Sequence, residues 1–108
     1  MEMKFKNESG KDTTVILRKS VYRNSGGLYL GAYTINEEGQ LEPYCNITIN
    51  ANLALDEGWA YINKNNTDLA LLQAITDAGY ITTTVGIWSN YPLVCFSKQF
   101  LDSIEELV

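Results

Sequence analysis

Apolar and polar residues alternate around Met3 and Phe5, and again from Thr13 to Tyr22, where Val15, Leu17 and Val21 fall on one face and Ile16 and Tyr22 on the other. A period of two is the mark of a strand with one buried and one wet face. Between the two runs Asn7–Asp12 has the composition of a turn, so the pair predicts a first hairpin. Asn24-Ser25-Gly26-Gly27 makes the next break. Leu28 to Ile35 then predicts a strand with Leu28, Leu30 and Ala32 sharing a face, and Gly31 inside it marks a bulge or a close approach by another backbone. After the Asn36–Gln40 loop, Leu41 to Asn50 predicts the returning strand of a second hairpin. In it Cys45, Ile47 and Ile49 point one way and Asn46, Thr48 and Asn50 the other.

The pattern then shortens. A loop with Asp56, Glu57 and Gly58 leads to a compact strand, Trp59–Ile62, and to a turn at Asn63–Asn66. Thr67 is placed to cap a helix with Asp68 in its first turn. Leu69, Leu72 and Ile75 follow at helical spacing, widened by Leu71, Ala74 and Ala78, and Gly79 suits the position past the helix end. Tyr80 to Val85 predicts a strand, Gly86 to Asn90 a loop that exposes or half-buries Trp88, and Leu93 to Phe96 the last strand. Ser97 can cap a final helix with Phe100, Leu101, Ile104, Leu107 and Val108 on one face. That stripe docks on its own domain or, alternatively, on a partner. Hairpins first, then helix, strands and helix, predict one α+β domain over residues 1–108. Its mainly antiparallel sheet of hairpins packs with one central helix and a C-terminal amphipathic helix.

Composition changes this picture little. With 108 residues, 45% of them hydrophobic and 19% charged, the chain can bury a core without metal or disulfide support. Cys45 and Cys95 are too few for a disulfide framework and read as reduced, buried thiols. No apolar run approaches a membrane span, and the first residues lack the apolar segment of a secretion signal, so a cytoplasmic protein is expected.

Charge changes it more. Residues 1–23 carry six bases against three acids, and the remainder two bases against ten acids. Lys4, Lys6, Arg18, Lys19 and Arg23, with Lys11, Phe5 and Tyr22, either protect edge strands of the first hairpin or form a nucleic-acid-binding strip. The net charge of −5 opposes the second use.

The residues that carry chemistry are sparse. Histidine is absent, which removes the commonest acid–base group near neutral pH and the commonest transition-metal ligand. The two cysteines lack zinc-site spacing, and no phosphate loop, nucleophile elbow or calcium loop is spelled out. No cofactor or metal is therefore expected. The best carboxylate pair is Asp56-Glu57, close to Trp59, and a cysteine nucleophile would need a nearby cation or helix N-terminus. A cryptic carboxylate- or cysteine-dependent enzyme is thus a remaining alternative. Seven tyrosines and two tryptophans exceed the needs of a small core, with Tyr29, Tyr33, Tyr44, Tyr61, Trp88 and Tyr91 as half-exposed candidates. Residues of these types anchor protein interfaces. The sequence therefore predicts a non-enzymatic protein that binds another protein through Asp56, Glu57, Tyr61, Trp88 and Tyr91. A homodimer through the C-terminal helix or an edge strand stays open.

Three segments carry a resemblance: Gly39 to Asn50 (GQLEPYCNITIN), Glu57 to Asn66 (EGWAYINKNN) and Ser89 to Phe96 (SNYPLVCF). They resemble motifs of a family of small uncharacterised domains from gut Firmicutes and Bacteroidetes, often encoded on conjugative elements, plasmids and phages. That family shares a G-E-P-Y/F…T-V-N-L strand, an E-G-x-A-Y/F-V/I-D-T-N-N segment and a closing S-G-F-C-T-Y-P-x-Y-x-F strand. Here Asn63-Lys64 replaces Asp-Thr, the last motif is shortened, and its cysteine falls later, at Cys95. The resemblance implies an accessory protein of a bacterial mobile element, for which inhibition of a host defence protein would be a fitting task.

Overall fold

The computed structural model describes residues 1–51 and 55–107. Strands β1 (Glu2–Lys6) and β2 (Asp12–Val21) form the first hairpin, and β3 (Leu28–Ile35) and β4 (Leu41–Asn46) the second. Together they make an antiparallel sheet in the order β1-β2-β3-β4. The turn at Asn7 is closed by its own side chain, whose Oδ1 accepts from the Ser9 and Lys11 amides. Val15 and Leu17 of β2 and Leu30 and Ala32 of β3 are buried, as the alternation predicts. Val21, expected on the same buried face, is 65% exposed at the end of β2, opposite Leu28.

Gly31 has a different role from the predicted one. The bulge falls one step later, at Ala32/Tyr33. What approaches Gly31 is the ring of Tyr29 rather than another backbone: a Cβ there would lie 2.7 Å from Tyr29 Cζ.

The Leu41–Asn50 run is not one strand. It leaves the first sheet after Asn46 and enters a second as β5 (Thr48–Ile49). Ile47 and Thr48 are consecutive and both buried, so Thr48, expected to face water, is 2% exposed. Its Oγ1 accepts from the Leu30 amide at 3.0 Å, and Tyr22 Oη donates to its carbonyl at 3.2 Å. A buried hydroxyl is tolerated there because it supplies the hydrogen bonds the ladder loses at the crossover.

The second sheet has the order β5-β6-β8-β7, with β6 at Trp59–Ile62, β7 at Ile81–Val85 and β8 at Leu93–Phe96, all antiparallel. Helix α1 (Leu69–Asp77) joins β6 to β7. Its cap is Asp68 rather than Thr67: Asp68 Oδ1 accepts from the Ala70 amide at 2.9 Å. Thr67 is instead buried, its hydroxyl donating to the Asn46 carbonyl at 3.0 Å. Gly79 has the left-handed φ of +78° expected past the helix end. Nine residues would not hold a helix in water. Leu71 and Ile75 are wholly buried, each contributing roughly 1.5–3 kcal/mol, whereas Leu69 at the first position stays exposed.

The chain end departs most from expectation. Ser97 does cap α2, its Oγ accepting from the Phe100 amide at 3.1 Å, but the helix covers only Lys98–Asp102. After it Glu105–Glu106 form β9, parallel to β2 opposite Arg18 and Lys19. Strand β1 pairs with β2 as far as Ile16, which leaves the edge at Arg18 and Lys19 for β9 to fill. Acidic residues oppose the dipole at a helix C-terminus, and extended pairing beside Arg18 and Lys19 places both glutamates next to cations. Phe100 and Ile104 are buried, and the Phe100 ring stacks on Tyr80 at 4.6 Å. The terminal segment thus docks on its own chain. Val108, predicted on the same face, lies outside the described residues. One hydrophobic cluster joins the inner faces of both sheets to α1 and α2. The fold is α+β, mostly sheet with small helices.

Candidate functional site

In β6 and β8 the core takes Ala60, Ile62, Val94 and Phe96. Alternation therefore turns Trp59, Tyr61, Leu93 and Cys95 to the outer face of the second sheet. Residues directly opposite in an antiparallel pair share a face. The registers Ile49↔Tyr61, Tyr61↔Leu93 and Val85↔Leu93 thus make one continuous row, Ile49-Tyr61-Leu93-Val85, across all four strands. Beside it runs a second row, Trp59-Cys95-Thr83. On this face Ile49, Trp59, Tyr61, Leu93 and Cys95 are half-buried, and Thr83 and Val85 are exposed.

The row continues into the loop between β7 and β8. Trp88 is 86% exposed, Ile87 67%, Val85 54% and Tyr91 48%. The backbone beneath them is held. Ser89 N–H donates to the Gly86 carbonyl at 2.9 Å, and Tyr91 N–H to Ser89 Oγ at 3.0 Å. Lys64 donates its backbone N–H to the Asn90 carbonyl and its Nζ to the Ile87 carbonyl at 2.9 Å. A loop backbone held in this way loses less conformational freedom when a partner binds it, which lowers the entropic cost of binding.

Tyr61, Trp88 and Tyr91 are therefore gathered at one end of the second sheet. Asp56 and Glu57 are not with them: they precede Trp59, at the far end of β6, where the Phe96 amide donates to the Gly58 carbonyl at 2.8 Å. There they line a cavity of about 240 Å³ together with Lys19, Trp59, Asp102 and Glu106. Lys19 Nζ donates to the Leu101 carbonyl at 2.6 Å, and Asp102 pairs with Lys98 at 2.8 Å. The hydrogen bond from Lys98 holds the Asp102 carboxyl below its usual range. General acids are built the other way, with the pKa raised.

Sequence reasoning missed Lys64, Ile87 and Val85. For Val85 and Ile87 the available signal was that no residue from Ala78 to Ser97 is charged, a long interruption in an acidic chain, whereas nothing in the sequence marked Lys64.

Several other aromatics are absorbed into the structure. Tyr33, predicted half-exposed, is buried, and its hydroxyl meets that of Tyr29 at 2.6 Å, with Tyr29 donating on to Asn46 Oδ1 at 2.9 Å. Burial, with the Tyr33 hydrogen bond second, pushes the Tyr29 phenol well above its ordinary pKa. Tyr44 donates to Asp68 Oδ2 at 2.5 Å and meets Phe5 edge-on.

The cations of the first hairpin are dispersed. Lys4, Lys6 and Arg18 lie on the outer face of the first sheet, within 4 Å of Glu2, Asp12 and Glu105 respectively. Lys19 points to the opposite face, and Arg23 is exposed beyond the end of β2. Cys45 is half-buried, and desolvation raises its pKa, the reverse of what a nucleophilic thiolate needs. Among the described residues no group of three or more His, Cys, Asp or Glu side chains is placed to hold a metal ion, and no helix is long and apolar enough to cross a membrane. No protein-family model, curated protein or solved structure matches the chain.

Proposed function

We propose that this protein acts by binding another protein, without catalysing a reaction, through the outer face of its second sheet and the β7–β8 loop. The observation that carries the reading is Trp88. A tryptophan 86% exposed, on a backbone tied at both Ile87 and Asn90, serves no purpose in the core. Tryptophan and tyrosine dominate the binding energy of protein interfaces when a partner desolvates them. Val85, Ile87 and Tyr91 around it supply the apolar surface that a partner would cover. Asp56 and Glu57, placed at the other end of β6, are left out of this contact. The mobile-element setting implied by the sequence resemblance suits a protein that occupies and blocks a host protein.

The test is affinity capture from the native host with wild type, Trp88→Ala and Lys6→Glu in parallel. A partner retained by wild type and Lys6→Glu but lost with Trp88→Ala supports this surface. Equal recovery by all three removes it. Retention of nucleic acid that falls steeply with salt, and is lost in Lys6→Glu, would instead favour the basic hairpin.

A further inference from the structure

Sheet edges invite pairing, and folded proteins protect them with charges, proline, short strands or bulges. Among the described residues three sheet edges carry such protection. Strands β1 and β9, along one edge, present Glu2, Lys4, Lys6, Glu105 and Glu106, β4 contains Glu42 and Pro43, and β5 is only two residues long. The fourth edge, β7, reads Ile-Thr-Thr-Thr-Val, without charge or proline, and Thr82 to Val85 are exposed. Its only protection is the irregularity at Ile81/Thr83, which leaves Thr83–Val85 in regular extended pairing with β8.

We propose that β7 pairs antiparallel with β7 of a second copy of this chain, joining the two second sheets into one. Three features select a second copy over a foreign strand. The regular stretch Thr83–Val85 is β-branched at every position and uncharged, so it complements itself across a two-fold axis. An axis at Thr84, the centre of the regular stretch, sets threonine against threonine and Val85 against Thr83 of the second copy. Threonine pairs of this kind stabilise an antiparallel ladder. Finally, each copy carries a net charge of −5, and the uncharged run from Ala78 to Ser97 lets two copies meet without bringing like charges together. The dimer would set two Trp88 loops on one assembly. It does not depend on the proposed partner, and either can fail alone.

Sedimentation equilibrium from about 1 µM to about 1 mM measures the association directly. Wild type is expected to pass from monomer to dimer in this range. Thr84→Lys, which sets two ammonium groups beside the axis, should weaken association at least roughly tenfold. Thr14→Lys, on the exposed outer face of β2, should not. Circular dichroism confirms that each variant is folded. Thr84→Cys, treated with a short bis-maleimide that adds one thiol at each end, should give a covalent dimer well above the wild-type background from Cys45 and Cys95. A wild type that stays monomeric throughout overturns the proposal. So does a dimer that Thr84→Lys leaves unchanged, or a Thr84→Cys protein that does not crosslink above background.

Discussion

Asp68 holds two parts of the molecule with one carboxylate. Its Oδ1 caps α1 through the Ala70 amide, and its Oδ2 accepts from Tyr44 on β4. Hydrogen bonds to charged groups contribute more than neutral ones, so Tyr44→Phe should lower stability by about 1.5–3 kcal/mol, read from urea unfolding. The same pair gives a pH dependence. Burial, then the hydrogen bond to Asp68, raises the Tyr44 phenol from 10.0 to about 12 in the folded state. The unfolded chain therefore releases this proton first. The stabilisation is full below pH 10 and is lost as pH rises towards 12. Tyr29, also raised, acts in the same direction. Stability should fall over this window, and less steeply in Tyr44→Phe. An identical slope in the two proteins would show that Tyr44 does not titrate differently on folding. Gly31 makes a second residue-scale case. The Tyr29 ring that covers it is fixed by Tyr33 and Asn46, so it cannot step aside without losing both hydrogen bonds. Gly31→Ala should cost about 1–3 kcal/mol. Unchanged stability would mean that the ring moves freely.

At the scale of elements, the junction between sheets depends on Thr48. Thr48→Val keeps the shape but leaves the buried Leu30 amide without its acceptor. A loss of about 1–3 kcal/mol is expected, measurable by denaturation, and a neutral substitution would contradict the role given to the hydroxyl. This junction was also the part of the fold least legible in the sequence. Alternation locates a strand that has one wet face, which is why β1 to β3 were readable, and short apolar runs between turns marked β6 and β8. It cannot detect a chain crossing between two sheets, where consecutive residues such as Ile47 and Thr48 are both buried. The chain end was hidden for a related reason. Phe100 and Ile104 satisfy helical spacing, yet they are equally buried when a short helix gives way to β9. Only the vacant stretch of the β2 edge decides between the two, and that is a tertiary fact. Thr67 and Asp68 are adjacent residues that can both cap. The choice followed from burial of the threonine.

Across the whole molecule, the second sheet divides a buried inner face from an outer face that runs from half-buried to exposed. The candidate site was partly legible: Tyr61, Trp88 and Tyr91 could be selected by residue type, and they lie on or next to the outer face. Asp56 and Glu57 could not be excluded from it, since their distance from the loop depends on which end of β6 each segment joins. Because Trp88 touches little of its own fold, Trp88→Ala should shift stability by no more than about 0.5 kcal/mol. A larger loss in thermal unfolding would mean that the indole supports the structure. One experiment separates those two roles: capture of a host partner by wild type and Trp88→Ala, with both proteins shown to be equally stable. A partner bound by wild type should be lost at least roughly tenfold with the alanine, as expected for an interface anchor worth about 1.4 kcal/mol or more. Equal binding by two equally stable proteins would contradict it.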